Sequence, residues 1–210
     1  FLEAHYTRDW FERAAVGNPD PSPIFVLGQP RTGTTLVERI ITSHSQVKSA
    51  GELQQFGLAL RRLSNYRNPR RFSAELFAAA QELDAGRIAG LYLQTTSKMR
   101  GGSPRYVDKL PQNFLMIPLI LKALPNARIV HLVRDPMDAC FAMYKQSFFR
   151  YAYTLENVGR YYVAYDRLAR HWRALLGERF FEVEYEALVR DPEGQTRRLL
   201  QQLQLDFEPA

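Results

Sequence analysis

Cysteine is nearly missing from this chain. Cys140 is the only one, so no intrachain disulfide can form and no cysteine-rich metal cluster can be built. It is read as filling core space. Long apolar runs are missing too: none approaches the roughly 18 residues of a membrane-spanning helix. The opening, Phe1-Leu2-Glu3-Ala4-His5-Tyr6, resembles neither a signal peptide nor a translation start. These absences set cytoplasmic as the expected location and suggest a piece of a longer protein. No charge sign dominates either. Lys+Arg outnumber Asp+Glu by 28 to 22, a net +6 with the basic residues scattered, which favours an anionic partner but gives little support to a nucleic-acid surface. The nearest thing to a basic cluster, Arg61-Arg62 through Arg67, Arg70 and Arg71, has no interleaved aromatic platform and reads as a solvated helix end and loop. No internal repeat or low-complexity tract is visible.

What is present suffices for one domain. A chain of 210 residues with 46% hydrophobic content can bury a proper core, while two equal domains are not expected. The most informative stretch begins with the apolar run Ile24-Phe25-Val26-Leu27. It continues through Gly28-Gln29-Pro30-Arg31-Thr32-Gly33-Thr34-Thr35 into a helical pattern. Strand, glycine loop and helix make an anion cradle, because small residues let backbone N–H groups close around a phosphate. A nucleotide-hydrolysing P-loop would place Lys at position 34, followed by a magnesium-binding Ser or Thr. Here Thr34 and Thr35 stand there and the positive charge sits earlier, on Arg31. The expectation is phosphate binding without ordinary ATPase chemistry.

Along the chain, residues 1–16 predict one short amphipathic helix, followed by a Pro/Gly/Asn/Ser-rich loop into the first strand. The helix from Thr34 is expected to turn Leu36, Val37, Ile40 and Ile41 to the core and to end near Ser43-His44-Ser45. Glu52 is expected to begin the next element on the rim of the cradle. A helical region spans about 72–95, then a loop runs from Met99 to Arg105. Strands are predicted at Arg105–Lys109, Ala127–Val133 and Phe180–Tyr185, with helices between, the last from about Val158 to Leu176. Pro136 suits the first turn of the helix after the third strand. An aromatic-rich segment, Phe148, Phe149, Tyr151 and Tyr153, follows that helix. This βα alternation implies an α/β fold, a three-layer P-loop-type domain whose central, mostly parallel sheet is flanked by helices. Ligands of such sheets gather at the carboxyl ends of the strands, where Arg31, Glu52, Lys109 and Arg134 are all predicted to lie.

The segment from Pro23 to Leu36 resembles the opening signature of sulfotransferases that use 3′-phosphoadenosine 5′-phosphosulfate (PAPS). The likeness extends to His44 and Val47 before Gly51-Glu52, to Asp108-Lys109-Leu110-Pro111, to Val133-Arg134-Asp135-Pro136-Met137-Asp138, and to the stretch from Glu184 to Pro192. It is greatest for bacterial sulfotransferases that often follow tetratricopeptide repeats and are related to tyrosylprotein sulfotransferases. The resemblance implies residues 1–22 as an N-terminal helix and linker, the junction to upstream repeats, and 23–210 as the sulfotransferase domain, cut short at its C-terminus.

The roles it implies are specific. Backbone N–H groups of Arg31, Thr32, Gly33, Thr34 and Thr35 hold the 5′-phosphate side of PAPS, with Arg31 adding charge. Glu52 is the base for the acceptor hydroxyl, Lys109 stabilises the bridging oxygen, and Arg134 contacts the 3′-phosphate. No metal is required, the product is 3′-phosphoadenosine 5′-phosphate (PAP), and the partner is a peptide, protein or small molecule bearing a hydroxyl. Taken singly, Glu52 reads as a helix-start carboxylate, Lys109 as a surface charge and Arg134 as half of an i,i+4 pair with Asp138. The chain departs from the pattern at Ala142, where the family commonly has a serine. Either PAPS binds more weakly or Lys145, Gln146 or Ser147 supplies the donor. Two further readings stay open: a noncatalytic nucleotide- or peptide-binding module on the same scaffold, and a P-loop kinase, which Thr34 disfavours. Glu52 favours tyrosylprotein-like chemistry, and the arginines from Arg61 to Arg71 could attract acidic peptide flanks, with carbohydrate or natural-product hydroxyls as the alternative acceptors.

Overall fold

A computed structural model describes residues 1–13, 15–146 and 152–208. Its centre is a five-stranded sheet, β1 (Pro23–Gly28), β2 (Val47–Ser49), β3 (Arg105–Lys109), β4 (Arg128–Val133) and β5 (Phe180–Glu184). The order is β2-β3-β1-β4-β5 and every pairing is parallel. β1 lies between two neighbours, with Ile24 opposite Val107 on one side and Arg128 on the other. All six of its residues are therefore buried, which explains the unbroken apolar run.

Alternation along β1 divides the core. Ile24 and Val26 pack with Val107, Val130 and Leu132 under α3 (Thr34–Thr42), α10 (Tyr185–Arg190) and α11 (Pro192–Gln202). Phe25 and Leu27 face the opposite layer of α4 (Gln55–Leu63), α5 (Ala74–Gln81), α6 (Ala85–Arg100), α7 (Ile117–Ala123) and α9 (Leu155–Leu176). Helices thus cover both faces, and the α/β, three-layer, mostly parallel expectation holds.

Several element boundaries differ from the sequence reading. The single helix over 1–16 is two short ones, α1 (Leu2–His5) and α2 (Arg8–Glu12), the second capped where Thr7 accepts from the Trp10 N–H. β2 and α4 lie in a stretch too short or too polar to declare itself. The helical region at 72–95 splits because Asp84 caps a new helix, its carboxylate accepting from the Arg87 N–H at 2.7 Å. α6 then runs to Arg100 and ends at Gly101 with φ of +59°, so the loop begins later than Met99. Leu36 is exposed rather than core-facing, while Glu38 is buried. Cys140, on α8 (Pro136–Tyr144), is only half-buried. Of the aromatic segment, Phe148, Phe149 and Tyr151 lie outside the described residues, as does Ser147. Among the described residues no helix is long and apolar enough to cross a membrane.

Candidate active site

At the carboxyl end of β1 the backbone must pass close to its neighbours. Gly28 has φ of +144°, and a Cβ there would lie 2.7 Å from the Leu132 carbonyl oxygen of β4. Gly33 has φ of +98° and precedes α3, and a Cβ there would press to 2.6 Å on the Tyr185 ring. Both positions therefore exclude a side chain. Between them the loop is braced internally: Thr32 is buried and its hydroxyl donates to the Gln29 carbonyl at 2.7 Å, while Arg31 adopts φ of +71°. The first turn of α3, from Thr34, has N–H groups without intrahelical acceptors at the mouth of this loop.

Two clefts flank that turn and share Arg31, Thr34 and Thr35 in their walls. One, of about 300 Å³, is completed by Glu52, Lys109, Gln54 and Arg71 with the Leu110-Pro111 turn. The other, of about 410 Å³, is completed by Gly33, Leu36, Arg134 and Tyr185. Glu52, Lys109, Arg31 and Arg134, far apart in sequence, thus line adjoining spaces. Thr32 is the exception among the expected residues, since its side chain serves the loop itself.

Lys109 ends β3 and is 8% exposed. Its Nζ lies 2.5 Å from Glu52 Oε1 and 3.9 Å from Glu38 Oε2. The two carboxylates differ in freedom: the Glu52 side chain is 59% exposed and that of Glu38 10%. Glu38 is further fixed by the Ser49 hydroxyl, which donates to its Oε1 at 2.6 Å. Ser49 Oγ in turn accepts from the Gly51 N–H, and the Lys109 N–H donates to the Gly51 carbonyl at 3.0 Å. The chain end of β2, the Gly51-Glu52 corner and Lys109 are one connected unit. The sequence reading missed Glu38. The available signal was its place one turn after Thr34, between Val37 and Ile41 on the buried stripe of α3.

Asp108, on the opposite face of β3, is fully buried. Tyr92 OH donates to it at 2.9 Å, Asn113 Nδ2 at 3.2 Å and the Leu53 N–H also reaches it. Burial nevertheless pushes its carboxyl up to about 8, against those donors. Arg71 lines the first cleft, and its guanidinium lies over the Phe72 ring at 5.1 Å from the centroid. Burial lowers its pKa and the Glu52 charge opposes that fall.

Arg134 follows β4. Its Nη1 donates to the Arg31 carbonyl at 3.1 Å and its guanidinium lies 4.7 Å from the Tyr185 ring centroid. The Asp138 pair anticipated from sequence is present at 3.6 Å, and Glu186 is 4.0 Å from Nε. Nε is buried without a hydrogen-bond partner. Ala142 is half-buried on α8, and Lys145 lies 4.7 Å from the Phe141 ring.

Beneath the loop, a buried polar chain that the sequence reading also missed links it to the surface. Tyr165 bonds the Gln29 backbone and meets His131 Nε2 at 2.5 Å. His131 Nδ1 lies 3.0 Å from Glu182, which two Arg173 nitrogens hold at 2.8 Å. Burial raises the Glu182 carboxyl but His131 and Arg173 outweigh it and hold the group at about 2.

The family model described as the sulfotransferase family matches residues 23–209. An uncharacterized protein of Aquifex aeolicus is 35% identical over 202 residues, covering 91% of this chain and 26% of that protein. A protein-tyrosine sulfotransferase of Drosophila melanogaster is 25% identical over 211 residues, covering 98% of this chain and 42% of its own length. The chain therefore spans less than half of either relative. Among solved structures, the sulfotransferase from Alicyclobacillus acidocaldarius superposes with a TM-score of 0.60 at 17% identity, covering 93% of this chain and 85% of that one, a likeness of fold. With a family match over nearly its whole length, the chain belongs to the sulfotransferase family.

Proposed function

We propose that this chain transfers a sulfuryl group from PAPS to an acceptor hydroxyl, releasing PAP. The arrangement that carries the reading is the meeting of Glu52 and Lys109 at 2.5 Å in a cleft that shares its phosphate-loop wall with the cleft of Arg134. The residues fit such a donor: both glycine positions exclude a Cβ, and Arg134 Nε is a buried donor with no hydrogen-bond partner.

In this reading the backbone from Arg31 to Thr35 holds the 5′-phosphate side and Arg134 the 3′-phosphate. When bound, PAPS supplies the activated sulfuryl group. Glu52 accepts the proton of the acceptor hydroxyl, whose oxygen forms the new bond to sulfur while the bond from sulfur to the bridging oxygen breaks. Lys109 and Arg31 balance the negative charge left on the departing phosphate. Because Lys109 and Glu52 occupy each other before substrates enter, each must exchange that partner for a reacting group, and Glu38 stays behind as the counter-charge to Lys109.

Likeness to the Drosophila protein supports a phenolic hydroxyl, as on tyrosine, as the acceptor. The test is transfer of labelled sulfate from PAPS by wild type and Glu52→Gln. A fall in turnover of about 10²-fold or more with PAP affinity retained is expected, whereas unchanged turnover would remove Glu52 from the reaction. The noncatalytic reading draws on Ala142 and on the mutual occupation of Glu52 and Lys109. PAP binding by calorimetry with no transfer to any acceptor would favour it.

A further inference from the structure

The cleft holding Glu52 and Lys109 does not end at Arg71. A second chamber of about 250 Å³ opens there, lined by Gln54, Gly57, Leu58, Arg61, Pro69, Arg71 and Phe72, and it shares Gln54 and Arg71 with the reaction cleft. One wall is a stripe of α4, at 57, 58 and 61, with Gln54 at its N-cap, and the other is the segment that carries Pro69, Arg71 and Phe72. We propose that this chamber receives the body of the acceptor, and that the body is apolar: a phenol or alcohol whose hydroxyl lies at Glu52 and whose hydrocarbon part extends between Leu58 and Phe72. The assignment rests on the sulfuryl-transfer reading above.

Charge in the chamber argues against an acidic peptide flank. Arg61 donates to the carbonyl oxygens of Asn68 and Arg70 at 2.8 and 2.7 Å, and to that of Arg71 at 3.4 Å, so its guanidinium closes the loop. Arg71 lies against the Phe72 ring and within the field of Glu52, which balances it. Arg62, Arg67 and Arg70 are exposed and do not line the chamber. Apart from Gln54, at the junction with the reaction cleft, what remains to greet a ligand is apolar: Leu58, which is 54% exposed, Pro69, the Phe72 ring and the bare backbone of Gly57. Gly57 leaves its part of that wall without a side chain. A Cβ there would meet Phe72 at 3.6 Å and the Met116 thioether at 3.8 and 3.9 Å, all ordinary contacts, and helix propensity favours a residue other than glycine in the interior of α4.

The test measures kcat/KM with PAPS for phenol, 4-octylphenol and a tyrosine peptide flanked by aspartates, on wild type, Gly57→Leu and Leu58→Ser. Burial of only three methylenes predicts a preference of roughly fiftyfold for 4-octylphenol over phenol in wild type. Gly57→Leu, which fills the chamber, is expected to reduce that ratio at least tenfold, and Leu58→Ser to reduce it less. Circular dichroism and PAP calorimetry report whether each variant keeps its fold and donor site. Transfer to phenol without a gain for the octyl chain, or a ratio unmoved by Gly57→Leu, would overturn the chamber assignment alone, as would preference for the acidic peptide. No transfer to any of the acceptors would overturn the sulfuryl-transfer reading and this inference with it.

Discussion

Replacing Asp108 by Asn should remove a loss of stability that grows as pH rises toward 8. The carboxyl has no exposure, and burial raises its pKa from an ordinary 3.8 to about 8. Below the lower value the group is protonated in both folded and unfolded chains and costs nothing. Between the two, the folded chain binds a proton that the unfolded chain has released, so stability falls as pH rises, and the loss is complete above the folded pKa. The slope is about 1.4 kcal/mol per pH unit, hence about 2.7 kcal/mol between pH 5 and 7, or roughly 5 to 10 °C in Tm for a chain of this size. Other groups titrate over that range, so the quantity to follow is the difference between wild type and Asp108→Asn. An asparagine can still accept from Tyr92. Its NH₂ needs an acceptor, and Asn113 Oδ1, buried and without a partner, becomes one if that amide turns over. Urea unfolding of both proteins at half-unit steps from pH 5 to 8 should show the variant gaining steadily on wild type. Parallel curves would mean that Asp108 folds as a carboxylate, with its donors outweighing burial.

Three other substitutions probe the cleft. Lys109→Ala should lower turnover by about 10² to 10³, with PAP affinity much less affected, because charge on the leaving oxygen grows only as the bond breaks; equal losses in calorimetric affinity and kcat/KM would make Lys109 a binding residue. Glu38→Gln keeps the bond from Ser49 but removes the buried charge beside Lys109, so a loss of about tenfold in turnover is expected in wild type and none in the Lys109→Ala background; the same loss in both backgrounds would show that Glu38 only supports the fold. Arg134→Ala should weaken PAP by roughly 10- to 100-fold while leaving an analogue without the 3′-phosphate nearly unchanged, the range expected for a charge-assisted contact; parallel losses in titrations of both ligands would refute the 3′-phosphate role.

Legibility in the sequence follows the physics of each signal. β1 and β4 declare themselves because strands covered on both faces must be apolar throughout, and the loop between Gly28 and Gly33 because positive φ and close neighbours demand glycine at both ends. β2 did not, since a three-residue edge strand with only Val47 buried leaves no periodicity to read. The α5–α6 break was hidden because apolar spacing continues across it, and only the Asp84 cap marks the restart. At the candidate site, motif resemblance and place at strand ends point to Glu52, Lys109 and Arg134, and the structure brings the three to adjoining clefts. Partners supplied by packing were not found that way.

Glu38 shows why. By residue type Leu36 is expected in the core, and a glutamate on the same helix suggests a solvated edge. The structure reverses the two because an ammonium at the end of a covered strand has little water to face, and a second carboxylate, anchored by Ser49, offsets the cost of burying it. The same reasoning applies to His131. A lone histidine in an apolar strand carries no pattern of its own, yet a fully buried imidazole must find partners, and it finds Tyr165 on one side and Glu182 on the other. Through Tyr165 that requirement reaches the Gln29 backbone, so the loop from Gly28 to Gly33 is held by residues more than a hundred positions away. Sequence motifs point to the groups that line the two clefts. The buried polar groups that hold them there follow from satisfying each charge and donor in the fold, and they can be read only once the strands are in register.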